Sequence, residues 1–204
     1  MDPNRLIIFA KAPRPGFVKT RLAAALGDLE AAKAYQTLVE VLLDNLKDLR
    51  EVELRFSPDD ALPEIQRWIR ESWRARPQGA GDLGQRLTAA FADAFASGAE
   101  RVVIIGSDCP AVTMEDIGQS WTALLTHDVV LGPATDGGYW LVGLREPHTT
   151  LFYGIAWSTA AVLQQTLERT KAAGLDVHFL RELADVDTEA DWSAFVQRQH
   201  SNPS

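Results

Sequence analysis

Arg101-Val-Val-Ile-Ile-Gly106 decides the fold of this chain, and Ser107-Asp108-Cys109-Pro110 follows it at once. Its apolar residues are consecutive and all β-branched, which leaves no polar face for water. Such a segment belongs in the middle of a parallel sheet covered on both sides. Working outward, Leu6-Ile-Ile-Phe-Ala10 and residues 52–56 read as buried strands, residues 128–131, 139–144 and 177–180 as further strands, and 73–76 as a short one. Apolar residues at three- and four-residue spacing predict the helices between them. The first takes Leu22, Leu26, Leu29, Ala32, Leu38, Leu42 and Leu46, broken at Gly27-Asp28. Others cover residues 62–71, the run through Leu87, Phe91 and Phe95, then 113–125, 159–173 ended by Gly174, and 189–199. Strands and helices alternating at this spacing predict a single α/β domain over residues 1–204, with helices on both sides of the sheet and a polar tail from about residue 199.

At 204 residues and 46% hydrophobic content the chain can bury one substantial core and is short for two ordinary domains. Its formal net charge of -8 argues against general binding to nucleic acids or anionic membranes, both of which need clustered cations. Any phosphate binding must then be local. The one cysteine, Cys109, excludes an intrachain disulfide framework and a cysteine zinc cage, and fits a reducing cytosol. A polar start, and no apolar run of roughly 20 residues, point to neither export nor membrane spanning and so to a cytoplasmic protein.

In open α/β sheets ligands sit beyond the carboxyl ends of the strands, and the unusual residues of this sequence lie in those loops. Lys11-Ala-Pro-Arg-Pro-Gly-Phe-Val-Lys-Thr-Arg21 places four cations after the first strand of an otherwise acidic chain, which suits a diphosphate. It is not a Walker A loop, because Val18 and Pro13 stand where that motif needs glycine. Nor is it a dinucleotide fingerprint, since Pro13 and Pro15 have no N–H to offer. Asp108 projects from the end of the strongest strand, where a hard oxygen ligand can hold Mg²⁺ or Mn²⁺ beside a diphosphate. The competing role of helix cap falls better to Thr113 with Asp116. Ala184-Asp-Val-Asp-Thr188 offers a second ligand, Asp187 being the choice over Asp185, although aspartate and threonine before a helix are also ordinary caps. Asp136-Gly-Gly-Tyr139 lets a ligand approach the backbone, and Asp136 could take a proton from an acceptor; a plain hairpin turn explains the same residues. Cys109 reads as a small buried residue, the four histidines lack metal-ligand spacing, and Trp140 and Trp157 are candidate walls of an acceptor site.

Taken together, Pro15-Gly-Phe-Val-Lys-Thr-Arg-Leu22, Gln78-Gly-Ala-Gly-Asp-Leu-Gly84, residues 106–110, Asp136-Gly-Gly-Tyr139 and Asp185-Val-Asp-Thr188 resemble the nucleotide-diphospho-sugar transferase superfamily. That group comprises the GT-A-type glycosyltransferases and related nucleotidyltransferases, and the resemblance runs over nearly the whole chain. Lys19-Thr-Arg-Leu22 is also similar to the guanylyltransferases that activate phospholactate. The resemblance implies a three-layer α/β/α, Rossmann-like GT-A fold with a mostly parallel mixed sheet. It further implies nucleotide contacts at Lys11, Gly16, Lys19, Arg21, Gln78 and Gly79, with Lys19 and Arg21 on the donor phosphates and Gln78 and Gly79 near the base. Asp108 and Asp187 would hold Mg²⁺ or Mn²⁺, and Lys19, Arg21 and Asp136 would serve catalysis. Two features depart from the pattern: prolines replace the glycine-rich loop of better-known nucleotidyltransferases, and Ser107-Asp108-Cys109 lacks the second aspartate of many glycosyltransferase metal motifs.

The function expected is transfer from a nucleotide or nucleotide-sugar donor to a small-molecule acceptor whose identity the sequence leaves open, with no nucleic acid or membrane partner. Glycosyl transfer leads, because prolines in the first loop leave fewer N–H donors for a triphosphate. Nucleotidyl transfer with release of pyrophosphate is the alternative, and a non-catalytic nucleotide-binding module the third reading.

Overall fold

A computed structural model describes residues 3–201; the far end of the expected polar tail lies outside the described residues. Strands β1 (Asn4–Lys11), β2 (Val52–Ser57), β3 (Arg74–Pro77), β4 (Arg101–Gly106), β5 (Val129–Pro133), β6 (Tyr139–Leu144) and β7 (Val177–Phe179) form one sheet in the order β3-β2-β1-β4-β6-β5-β7. All neighbouring pairs are parallel except those of β6, which runs antiparallel to both β4 and β5. A tight turn at residues 134–138 causes this reversal: Gly137 takes a φ of 88°, and Ala134 N–H donates to Gly138 O at 3.1 Å. The sheet is therefore mixed but mostly parallel, as the sequence predicts.

The central strands are buried on both faces, and alternate residues serve different cores. Leu6, Ile8, Val103 and Ile105 face one side, where α2 (Asp28–Asn45) and α5 (Met114–Ala123) cover them. Ile7, Phe9, Val102 and Ile104 face the other, beneath α4 (Leu83–Ala96) and the 3-10 turn at Thr149–Phe152. Each aliphatic side chain so buried contributes about 1.5–3 kcal/mol of transfer free energy. The short α1 (Thr20–Leu26) precedes α2 across Gly27, while α6 (Val162–Ala172) and α7 (Glu189–Ser201) complete the layers. Capping boxes start three helices, Asp82 with Gln85 for α4, Thr113 with Asp116 for α5 and Thr188 with Asp191 for α7.

Several boundaries differ from the sequence expectation, α6 for one starting at Val162 and not at residue 159. The helix expected over 62–71 is a single α turn, α3 (Leu62–Ile65), continued by a 3-10 turn at Gln66–Trp68. Ile65 and Trp68 are both buried, an i, i+3 pair that the tighter 3-10 turn aligns on one side. α7 also runs to Ser201, past the expected start of the tail. Among the described residues no helix is long and apolar enough to cross a membrane.

Candidate active site

The chemistry-bearing loops meet beyond the carboxyl ends of the parallel strands because the late segment 180–187 is laced to the loops that follow β4 and β5. Val186 N–H donates to Asp108 O at 3.2 Å, Leu183 N–H to Pro133 O and Thr135 N–H to Leu183 O at 3.1 Å each, and the Cys109 thiol to Ala184 O at 3.5 Å. This lacing carries Asp185 and Asp187 across to Asp108. Arg181 fastens the start of the segment, donating to both oxygens of Asp116 at 2.6 and 2.7 Å and to Ala111 O at 3.0 Å.

Lys19 lies at the centre of the cluster. Its ammonium sits 2.5 Å from Asp108 Oδ1 and 2.9 Å from Asp187 Oδ1, with the side chain only 2% exposed. Burial alone would lower its pKa; the two carboxylates outweigh that and hold it above the ordinary lysine value. Its backbone occupies the left-handed region at φ 48° and ψ 48°, at the cap of α1. Arg21, 69% exposed, reaches Asp187 Oδ2 at 3.7 Å. Asp185 is half-buried, and its carboxyl is pushed up to about 7 by burial and then by the charge of Asp108. Asp191 belongs to a different task. Its carboxylate accepts from Thr188 N–H at 2.9 Å and Thr188 Oγ1 at 2.7 Å, starting α7.

The structure brings Asp108, Asp187, Lys19 and Arg21 together, and places Lys11 and Gly16 on the exposed part of the same first loop. Asp136 lies on the exposed 134–138 turn, one oxygen accepting from Gly138 N–H at 2.9 Å, and it is close enough to contribute to the raised pKa of Asp185. Three residues are used otherwise than the sequence suggests. Arg14 turns away to Asp60 and Glu64. The Gln78 amide is spent inside the fold: Nε2 donates to Ala10 O and Arg55 O at 3.0 and 3.1 Å, and Oε1 accepts from Arg86 at 3.2 Å. Trp140 is core, packed over Gly132 with its Nε1 donating to Arg181 O at 3.1 Å, so it is not an acceptor-site wall. Trp157 stays half-buried, edge-on to Tyr139 and against Gly84. Gly79 remains open, with a φ of 81° and its N–H on Asp59 at 3.3 Å. Burial and Asp185 push the Cys109 thiol up to about 12, which suits a packed residue and not a nucleophile.

Among the described residues no group of three or more His, Cys, Asp or Glu side chains is arranged as a metal cage. The fit to a hard divalent ion rests instead on two carboxylates already sharing one cation. Mg²⁺ commonly takes one or two protein carboxylates and completes its shell with phosphate and water oxygens.

This architecture is that of the nucleotide-diphospho-sugar transferases. A protein of Desulfovibrio desulfuricans G20, named as a candidate nucleotide-diphospho-sugar transferase, superimposes with a TM-score of 0.91 at 35% identity, covering 100% of this chain and 90% of that one. A 3-phospho-D-glycerate guanylyltransferase of Phenylobacterium zucineum (strain HLK1) is 31% identical over 142 residues. That match takes in 62% of this chain and 61% of the relative, so the chain spans less than two thirds of the guanylyltransferase. At 12% identity and a TM-score of 0.57, a Mycobacterium tuberculosis H37Rv protein solved as a complex with manganese shares the fold over 94% of this chain and 97% of its own. Residues 42–159 match the family described as "Uncharacterized protein conserved in bacteria (DUF2064)", and the chain belongs to that family within the nucleotide-diphospho-sugar transferase superfamily.

Proposed function

We propose that this protein is a cytoplasmic, metal-dependent transferase that moves a sugar from a nucleotide sugar to a small-molecule acceptor. The carrying observation is the convergence of Asp108 and Asp187, from loops remote in sequence, on the single ammonium of Lys19. The same two carboxylates are the protein ligands for Mg²⁺ or Mn²⁺, and the manganese complex of a fold relative supports the choice of metal. An ion held there would supply positive charge to offset that of the departing diphosphate. Lys11, Gly16, Lys19 and Arg21 bind the donor phosphates beside it, and Gly79 leaves its backbone open to the base. Asp136 accepts the proton of the acceptor hydroxyl as that oxygen attacks the anomeric carbon and the bond to the diphosphate breaks.

A diphosphate donor fits the first loop better than a triphosphate. Pro13 and Pro15 have no N–H, and the N–H groups of Lys11, Ala12, Arg14 and Phe17 are already given to Tyr35, Ser57, Ala12 and Arg14. Nucleotidyl transfer is the second reading, favoured by the 31% identity to a guanylyltransferase. The deciding experiment supplies nucleotide sugars and, separately, nucleoside triphosphates with Mn²⁺ and a panel of acceptors, assaying nucleoside diphosphate and pyrophosphate. Diphosphate released only with donor and acceptor together is the expected result. Pyrophosphate release from a triphosphate, with no diphosphate from any sugar donor, would hand the assignment to the second reading. Silence with every donor would remove both.

A further inference from the structure

One helix, α2, grips both chemistry-bearing loops from behind. The hydroxyl of the buried Tyr35 accepts from Lys11 N–H at 2.8 Å and bonds Ser107 Oγ at 2.8 Å, tying the loop after β1 to the loop after β4. Nearly three turns further along, Asn45 Nδ2 donates to Pro110 O at 3.0 Å and to Val112 O at 3.2 Å. Asp108 is therefore carried on a loop pinned on each side of it by the same rigid element. Tyr35 is close enough to Asp108 that the carboxylate adds to the effect of burial in raising its phenol pKa. Neither polar group is needed to fill apolar space: a phenylalanine at position 35 would keep the buried ring and lose only the hydroxyl, and Asn45 is exposed at the end of α2. What the polar groups add is direction, and outer partners that fix a ligand's orientation commonly matter 10–100-fold in metal affinity.

We infer that Tyr35 and Asn45 are positioning residues that set the Asp108 loop for metal-dependent binding of a nucleoside diphosphate, an inference that rests on the function proposed above. The side chains touch neither metal nor nucleotide; they act through the backbone and Ser107 of the loop. Such pinning has two consequences that packing alone would not produce. Loosening it should free the loop without unfolding the protein, and it should weaken metal binding although the Asp108 carboxylate itself is kept.

The test uses the full chain as wild type, Tyr35→Phe and Asn45→Leu, with thermal unfolding in the absence of metal as the control for folding. Hydrogen exchange of the peptide covering residues 104–112 reads loop order, and the free-ion EPR signal of Mn²⁺, titrated with protein at a fixed mixture of ADP, CDP, GDP and UDP and read against the same mixture without protein, reads metal uptake. Expected for each variant are exchange about tenfold faster in that peptide, with α2 and the β1 amides before Lys11 unchanged, and a half-saturating Mn²⁺ concentration raised about tenfold. Unchanged exchange, or wild-type Mn²⁺ uptake in both variants, overturns the inference and leaves the proposed function standing. A wild type that takes up no Mn²⁺ overturns the proposed function, and the inference falls with it.

Discussion

Lys19 Nζ lies 2.9 Å from Asp187 Oδ1 and, with Asp108 on its other side, stands where two carboxylates would otherwise repel one another. Removing the ammonium should therefore cost stability. Because Asp108 stays half exposed and its charge can be hydrated, the loss should fall between the limits for exposed and buried pairs, at about 1–2 kcal/mol for Lys19→Ala. A divalent cation should then repair the defect. In thermal unfolding with and without Mn²⁺, the rise in Tm on adding metal should be larger for Lys19→Ala than for the wild type. An equal or smaller rise would show that the two carboxylates do not share a metal.

The left-handed backbone of Lys19 separates geometry from charge at the same position. With φ and ψ both 48°, a residue bearing a Cβ is disfavoured by roughly 1–2 kcal/mol, a penalty glycine escapes. Lys19→Gly should accordingly be more stable than Lys19→Ala by about 1 kcal/mol in urea unfolding, although glycine normally costs more in a folded chain.

Asp116 should make stability pH-dependent on the acid side. Burial would raise its pKa, but hydrogen bonds from Arg181 and Thr113 overcome that and hold the carboxyl below the usual aspartate value. A depressed folded pKa contributes stability above the unfolded value, near 4, that is lost as pH falls through the folded value. Urea unfolding at pH 7 and then at falling pH below 4 should show the wild type losing stability faster than Asp116→Asn. At pH 7 the variant should be less stable by about 1–3 kcal/mol, the worth of hydrogen bonds to a charged group.

The sheet was legible in the sequence because its central strands announce themselves twice. Ile104 and Ile105 serve opposite cores, so the β4 stretch has no polar face to hide, and Asp108 is placed simply by following that strand. The 62–71 segment misled because spacings of three satisfy an α-helix and a 3-10 turn alike over so short a run. Partner choice was not visible either. Gln78 in a glycine-rich loop resembles a ligand contact until Ala10 O and Arg55 O, brought alongside by the parallel pairing of β1 and β2, claim its amide. Tyr35 reads as one more apolar position on an amphipathic helix, since nothing local reveals that Lys11 N–H and Ser107 Oγ will meet its hydroxyl.

The last prediction concerns Arg21, which must be separated from Lys19 because the two cations meet the same aspartate in different surroundings. Lys19 is enclosed by Asp108 and Asp187, whereas Arg21 is 69% exposed and only 3.7 Å from Asp187 Oδ2. An exposed pair at that distance adds little to folding, so Arg21→Ala should change the unfolding free energy by less than about 0.5 kcal/mol. Its exposed guanidinium is instead the group able to take phosphate oxygens in a bidentate fork. Binding of a nucleoside diphosphate to Arg21→Ala, measured calorimetrically with Mn²⁺ present, should weaken by about tenfold, equivalent to roughly 1.4 kcal/mol. The bare nucleoside, which presents no phosphate, should bind wild type and variant alike. Arg21→Lys should recover only part of the loss, because an ammonium restores the charge without the fork. Equal weakening of nucleoside and nucleotide would instead mean that Arg21 shapes the loop, and its place among the phosphate ligands would be lost.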